Sequence, residues 1–166
     1  MVERFRLEMK EVDPELMQHF NKIQLNLVDF SYRWMYLLLR EMPLYYIARI
    51  LDVYFTNDER MLVHDDPNCQ RGSPFWCSFH LFFCCSLLRS LRKHLLGRSF
   101  EENMKVLQNI NKMKWSNKRV IALLRDAQTL VNYQHNMRVK WKSKTVLLSI
   151  LSYFQISSTP LHFLEN

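Results

Sequence analysis

The stretch 30–52, FSYRWMYLLLREMPLYYIARILD, constrains the fold more than any other. It sets two apolar helical stripes on either side of a proline. Phe30, Trp34, Leu37 and Leu38 follow helical spacing and predict a helix from about Phe30 to Met42. Pro43 disfavours helical backbone at Met42 and suits the first turn of a new helix. Beyond it Ile47, Ile50, Leu51 and Tyr54 repeat at i, i+3, i+4, i+7, so a second helix is expected. Arg33 and Arg40 stand two turns apart on one stripe, with Tyr36 between them. Arg49 and Asp52 fall together on another face, within reach of pairing. An arginine buried in such a segment needs a partner, and Glu41 and Asp52 are the local candidates.

The remaining chain points to helices as well. It has two glycines and five prolines in 166 residues, too few for the turns of a sheet-rich fold but tolerable for helices. The expected fold class is all-α, about six or seven helices with no sheet. Residues 1–12 alternate charges and carry few anchors. Asp13-Pro14-Glu15 reads as N-cap, first-position proline and first-turn acid, opening a helix faced by Leu16, Met17, Phe20, Ile23 and Leu27. Residues 56–74 read as a loop, long for a connection inside a compact domain. Residues 76–96 predict a helix that is apolar nearly all round as far as Leu88. Beyond it Leu88, Leu91 and Leu95 line one side while Arg89, Arg92 and Lys93 face away. Gly97 suits the stop. Ser99-x-x-Glu102 is a capping box for a helix carrying Phe100, Met104 and Leu107. Ser116 caps another, with Val120, Leu124, Ala127 and Val131 on its apolar face. Arg138, Lys140, Lys142 and Lys144 then alternate with Val139, Trp141 and Ser143, and the apolar run 146–154 is expected to dock as a last helix.

Charge is uneven. The net +7 divides into −4 over residues 1–66, with 8 Lys/Arg against 12 Asp/Glu, and +11 over 67–166, with 15 against 4. The basic half suits solvated helix faces, an acidic protein partner or an anionic membrane surface. Nucleic acid is not expected, because the aromatics sit at core spacing rather than among the basic residues. The apolar run 75–88 is shorter than the roughly 20 residues a bilayer requires. The charged start, MVERFRLEMKE, is no secretory signal. Four cysteines read as reduced thiols, and a cytoplasmic location is expected. No cofactor is expected. Cys77, His80 and Cys84 share one side of a helix, but no C-x-x-C pair exists, so no metal site is expected. Ser78 and Cys77 point away from His80, which excludes a nucleophile–histidine pair. No Gly-rich phosphate loop is present.

Several words in this chain resemble the TBC domain of Rab GTPase-activating proteins. Phe30-x-Tyr32-Arg33-Trp34 is followed by a leucine run, then Arg40-Glu41-x-Pro43, then Arg49-x-x-Asp52. Phe79-His80-Leu81 followed by Cys84 is similar to the family's F-H-L helix start. Leu107-Gln108-Asn109-Ile110, then Trp115, is similar to its L-Q-N-[LI]…W segment. The words come in the family's order, are closest to its Golgi-associated subgroup, and cover roughly residues 14–133. One departs: the usual R-[LI]-W-D has Leu51 in place of tryptophan.

The resemblance implies a partial TBC domain over 1–134, its C-terminal half, with a loop insertion at about 56–74, and a basic then apolar tail over 135–166. It implies Phe30, Arg33, Trp34, Arg40, Glu41, Pro43, Arg49, Asp52, Phe79, His80 and Trp115 as scaffold rather than catalytic residues. The implied function is GTPase activation on GTP-bound Rab proteins in vesicle trafficking, at the cytosolic face of Golgi or endosomal membranes. Peripheral membrane contact would come through Arg138, Lys140, Lys142 and Lys144. The family's catalytic fingers, an arginine in I-x-x-D-x-x-R and a glutamine in Y-x-Q, are missing in place. Tyr153-x-Gln155 follows the motifs it should precede, and no glycine flanks it. The alternative is therefore an inactive Rab-binding or scaffolding fragment.

Overall fold

A computed structural model of the chain describes residues 2–56 and 75–156, and within them the side chains outside 36–41, 75–78, 135 and 138–156. Among the described residues the regular secondary structure is all helical, without a strand. They form α1 (Val2–Val12), α2 (Pro14–Lys22), α3 (Val28–Glu41), α4 (Leu44–Thr56), α5 (Phe75–Ser90), the single turn α6 (Arg92–Leu95), α7 (Phe100–Gln108), a 3-10 turn η1 (Ile110–Lys112) and α8 (Asn117–Ile156). The chain divides into two units, 1–130 and 131–166. The first holds α1 to α7, η1 and the opening turns of α8. The expected loop at 56–74 lies outside the described residues from 57 onward.

α5 is the axis of the first unit. Every residue from Phe79 to Leu88 is buried, as its uninterrupted apolar sequence requires. It packs against α1, α3 and α4, while α3 also touches α7 and η1. Each fully buried Phe or Leu along it contributes about 1.5–3 kcal/mol of transfer free energy. Ser86 on α5 donates to the Leu123 carbonyl at 3.0 Å, and Arg89 pairs with Asp126 at 3.5 Å, tying α5 to the first turns of α8.

The helix ends show where local chemistry decided the boundaries. Asp13 Oδ1 accepts from the Leu16 N–H at 3.1 Å, with Pro14 at the first position. Ser99 and Glu102 form both halves of their capping box. Ser116 Oγ accepts from the Arg119 N–H at 3.2 Å. Met42 is extended, φ −128° and ψ 152°, as a residue before proline must be. Gly97 adopts φ +77° after α6.

Other expectations are corrected. The amino-terminal charges conceal a helix, α1, because Phe5 and Met9 stand at i, i+4 and are fully buried. α2 stops at Lys22 instead of continuing to Leu27. Gln24 takes φ +58°, its N–H bonds the Asn21 carbonyl at 3.1 Å, and the Leu25 N–H reaches back to Phe20 at 2.9 Å. That is a Schellman ending built on glutamine rather than glycine. The helix expected over 76–96 breaks at Leu91. Arg92 does not face away: it bonds both Asp13 and Glu15 at the start of α2. Along α8 the buried face is Val120, Leu123, Ala127, Leu130 and Val131, with Leu124 turned to its edge. The basic and apolar stretches of the tail share α8. Docking of 146–154 concerns side chains outside those described.

Two backbone positions give opposite expectations. No atom lies within 4 Å of a Cβ added at Gly97, so Gly97→Ala meets backbone strain alone and should cost about 1 kcal/mol. Gln24→Gly should stabilise by about 0.5–1 kcal/mol by removing a side chain from left-handed backbone. Urea unfolding of the two variants beside the parent checks both signs.

Candidate partner-binding site

The motif residues separate into a buried set and an exposed set. Phe30 and Trp34 lie on the inner face of α3. Their rings meet edge to face at 5.0 Å, and Phe30 meets Phe20 of α2 at 6.4 Å. Trp34 Nε1–H donates to the Leu107 carbonyl of α7 at 3.4 Å. From α5, His80 places Nε2 at 2.9 Å from the Trp34 carbonyl and Nδ1 at 2.8 Å from the Tyr54 hydroxyl of α4. A carbonyl only accepts, so Nε2 carries the proton and Nδ1 accepts from Tyr54 O–H. Phe79 stacks its edge on Tyr54 at 5.4 Å. Trp115 Nε1–H donates to the Ile110 carbonyl at 3.2 Å, Tyr46 of α4 donates to the Trp115 carbonyl at 3.3 Å, and the Arg119 guanidinium lies 5.5 Å from the ring centroid.

This interior is structural chemistry. His80 is buried, and burial holds its imidazole below the ordinary 6.5, against the smaller upward pull of the Trp34 carbonyl. Cys84 Sγ lies 3.6 Å from Nε2, but burial pushes its thiol far up, so it is no thiolate nucleophile. Burial likewise raises Tyr54 and Cys85. Among the described residues no three His, Cys, Asp or Glu side chains converge as metal ligands. Cys69, Cys77 and Ser78 lie outside the described side chains.

The exposed set is different. On α4, Ile47, Ile50 and Tyr54 are buried, and the opposite stripe carries Tyr45, Arg49, Asp52 and Phe55. Tyr45 is 60% exposed and Phe55 71%, unusually open for large apolar groups. Arg33 and Pro43 are exposed too. Both Arg33 and Arg49 are exposed, so the condition of burial, under which an arginine requires a partner, does not apply to them. No ion pair joins Arg49 to Asp52 among the described residues. Arg40, Glu41 and Tyr36 lie outside the described side chains. Beside the stripe, α4 and α8 flank a groove of about 300 Å³ walled by Val53, Val120, Ile121 and Leu124, with Arg49 and Arg125 at its rim. The sequence pointed to neither Tyr54 as the partner of His80 nor this groove. Tyr54 read only as the last apolar position of its helix.

Residues 1–96 match the family model of the Rab-GTPase-TBC domain. The chain belongs to this family. Human TBC1 domain family member 22B is 28% identical over 124 residues, which are 74% of this chain and 22% of that protein. The GTPase-activating protein gyp1 of Schizosaccharomyces pombe is 28% identical over 117 residues, 70% of this chain and 20% of that protein. The chain thus spans about a fifth of the length of the curated relatives it matches. The crystal structure of the Ypt/Rab-GAP domain of Gyp1p has the same fold, with a TM-score of 0.65 and 23% identity, covering 80% of this chain and 37% of that one. The TBC fold is thus shared over most of this chain. Among the described residues no helix is long and apolar enough to cross a membrane.

The buried histidine sets a pH response. As pH falls past 6.5 the unfolded chain takes up a proton that native His80 resists. The stability from this group is therefore full above about pH 6.5 and drains as pH falls toward the lower native value. Urea unfolding from pH 8 to pH 5 should show that decline, and His80→Gln should flatten it. Tyr54→Phe, which leaves Nδ1 without its donor, should cost about 1–2 kcal/mol at pH 7.5.

Proposed function

We propose that this chain serves Rab GTPase regulation in vesicle traffic as the C-terminal, scaffold-bearing half of a TBC domain, and contacts a GTP-bound Rab protein. The family match over residues 1–96 carries the reading. The division of the motif residues supports it. Phe30, Trp34, Phe79 and His80 lock helices together, and Tyr45, Arg49, Asp52 and Phe55 remain in water on a helix held rigid from behind. Exposed aromatics beside an arginine are the residue types that anchor protein interfaces. The proposed domain covers 1–134 with the insertion at about 56–74, and the tail carries Arg138, Lys140, Lys142 and Lys144 to the cytosolic face of Golgi or endosomal membranes.

Catalysis in the family uses an arginine and a glutamine finger. The 166 residues contain no I-x-x-D-x-x-R, and Tyr153-x-Gln155 stands after the F-H-L and L-Q-N-I words rather than before them. An arginine supplied in trans is worth about 10³–10⁵ in rate, chiefly by stabilising charge on the transferring phosphoryl group. This chain binds and supports without supplying that term. Activation by the chain itself is the second reading, and Tyr153-x-Gln155 is the observation in its favour.

Single-turnover GTP hydrolysis by a panel of Rab proteins, with and without the folded chain, separates the two. Intrinsic rates alongside measurable binding to Rab loaded with a non-hydrolysable GTP analogue are expected, with weaker binding to the GDP form. Tyr45→Ala with Arg49→Ala should weaken binding about tenfold or more. Acceleration of 100-fold or more would assign catalytic groups to this chain. Absence of binding to every Rab tested would remove the Rab contact.

A further inference from the structure

The groove between α4 and α8 has its own charge pattern. Its walls are aliphatic: Val53 on α4, and Val120, Ile121 and Leu124 on α8. Arg49 and Arg125 border it, and Lys118 is seven residues before Arg125, two turns along the same exposed stripe of α8. Among the described residues none of these three cations is in an ion pair. The nearby carboxylates do not supply one. Asp52, on the same stripe of α4 as Arg49, forms no ion pair with it among the described residues, and Asp126, on another side of α8, is paired with Arg89 of α5. An aliphatic trough edged by two unpaired cations, with Lys118 two turns from Arg125 along α8, is complementary to an apolar stripe edged by acids.

We propose that this groove docks an acidic amphipathic helix of a protein partner. From Val120 to Gln128 the α8 wall is about 12 Å long, the length of two helical turns. Two or three aliphatic side chains at i, i+3 or i+4, i+7 of the partner enter between the walls, and flanking Asp or Glu residues meet Arg49, Lys118 and Arg125. This is the helix-in-groove mode of recognition. The cations supply orientation and rate of encounter, and the aliphatic walls supply the lifetime of the complex. The site shares Arg49 with the outer stripe of α4 assigned above to Rab, but its aliphatic walls and its α8 cations lie off that stripe, and the proposal does not depend on that assignment.

The test uses the full chain and a fluorescein-labelled synthetic helix with leucines at i, i+3, i+4, i+7 and glutamates on both flanks. Two control peptides accompany it: one of the same composition with the leucine stripe scrambled, and one with lysine replacing every glutamate. Fluorescence anisotropy should show saturable binding of the acidic helix alone, weakening as salt is raised. Lys118→Glu combined with Arg125→Glu should lower affinity about tenfold or more, and so should Ile121→Asp with Leu124→Asp. The first pair is exposed, so its unchanged thermal transition certifies the fold. Equal binding of the scrambled peptide, or affinity unmoved by both double variants, would overturn the proposal. So would displacement of the acidic helix by phosphatidylserine vesicles whose own binding the charge variant abolishes, which would make the surface a lipid contact. A chain dimer dissolved by the same variants would overturn it in favour of a second copy.

Discussion

An imidazole can lie in an apolar core only when both ring nitrogens are satisfied, and here that requirement fixes three helices against one another. His80 on α5 gives its Nε2 proton to the Trp34 carbonyl on α3 and takes the Tyr54 proton from α4. Moving α4 by a single residue would shift Tyr54 by about 1.5 Å along its axis and about 100° around it. The hydroxyl would leave the ring, and a buried acceptor would be stranded in low dielectric at a cost of about 1–3 kcal/mol. Apolar packing alone tolerates small slides between helices. The polar node does not, so it chooses one arrangement among those the apolar faces allow. Trp34 extends the choice to α7, because the same residue donates its indole N–H to Leu107.

A second constraint acts at the surface. Asp13 caps α2, and Arg92, almost eighty residues later, bonds both that cap and Glu15. The start of α2 is thereby linked to the single turn of α6, where the chain breaks after the buried run of α5. The break at Leu91 makes this possible. A continuous helix would carry Arg92 onward with the α5 axis, whereas the turn at Leu91 lets the guanidinium reach the first turn of α2. The cap and the cation thus favour the same end of one helix, where negative side chains also complement the helix dipole.

Much of this was legible because it was local. The Ser99–Glu102 capping box, the Asp13-Pro14 start, the stop at Gly97 and the extended Met42 each depend on residues within four positions, and each formed. The burial of 79–88 was legible because no polar face interrupts it. The ending of α2 was not: left-handed backbone at Gln24 carries no glycine to announce it, and Ile23 and Leu27 continue the apolar rhythm past the true end. α1 was hidden by charges that surround two well-placed anchors, Phe5 and Met9. In the candidate site, the family words identified Trp34 and His80, but not Tyr54, which stands 26 residues from its ring partner. Spacing left open whether Arg33 and Arg49 are buried, and only the structure shows which side of each helix faces the core.

α4 explains why a family motif contains residues of such different fates. One helix has an inner face, Ile47, Ile50 and Tyr54, that reads the core through His80, and an outer face, Tyr45, Arg49, Asp52 and Phe55, that is exposed. The inner face contributes stability. The outer face contributes none that requires those residue types, because exposed aromatics and unpaired charges add little to folding. Their cost or benefit is realised only against another surface. Held from behind by Tyr54, that outer stripe is fixed before any partner arrives, and a surface ordered in advance loses less entropy on association than a loop that must be ordered at the moment of contact. The polar node at His80 therefore acts twice. It selects the packing of the core, and through the same helix it sets the rotation at which the exposed motif residues are presented.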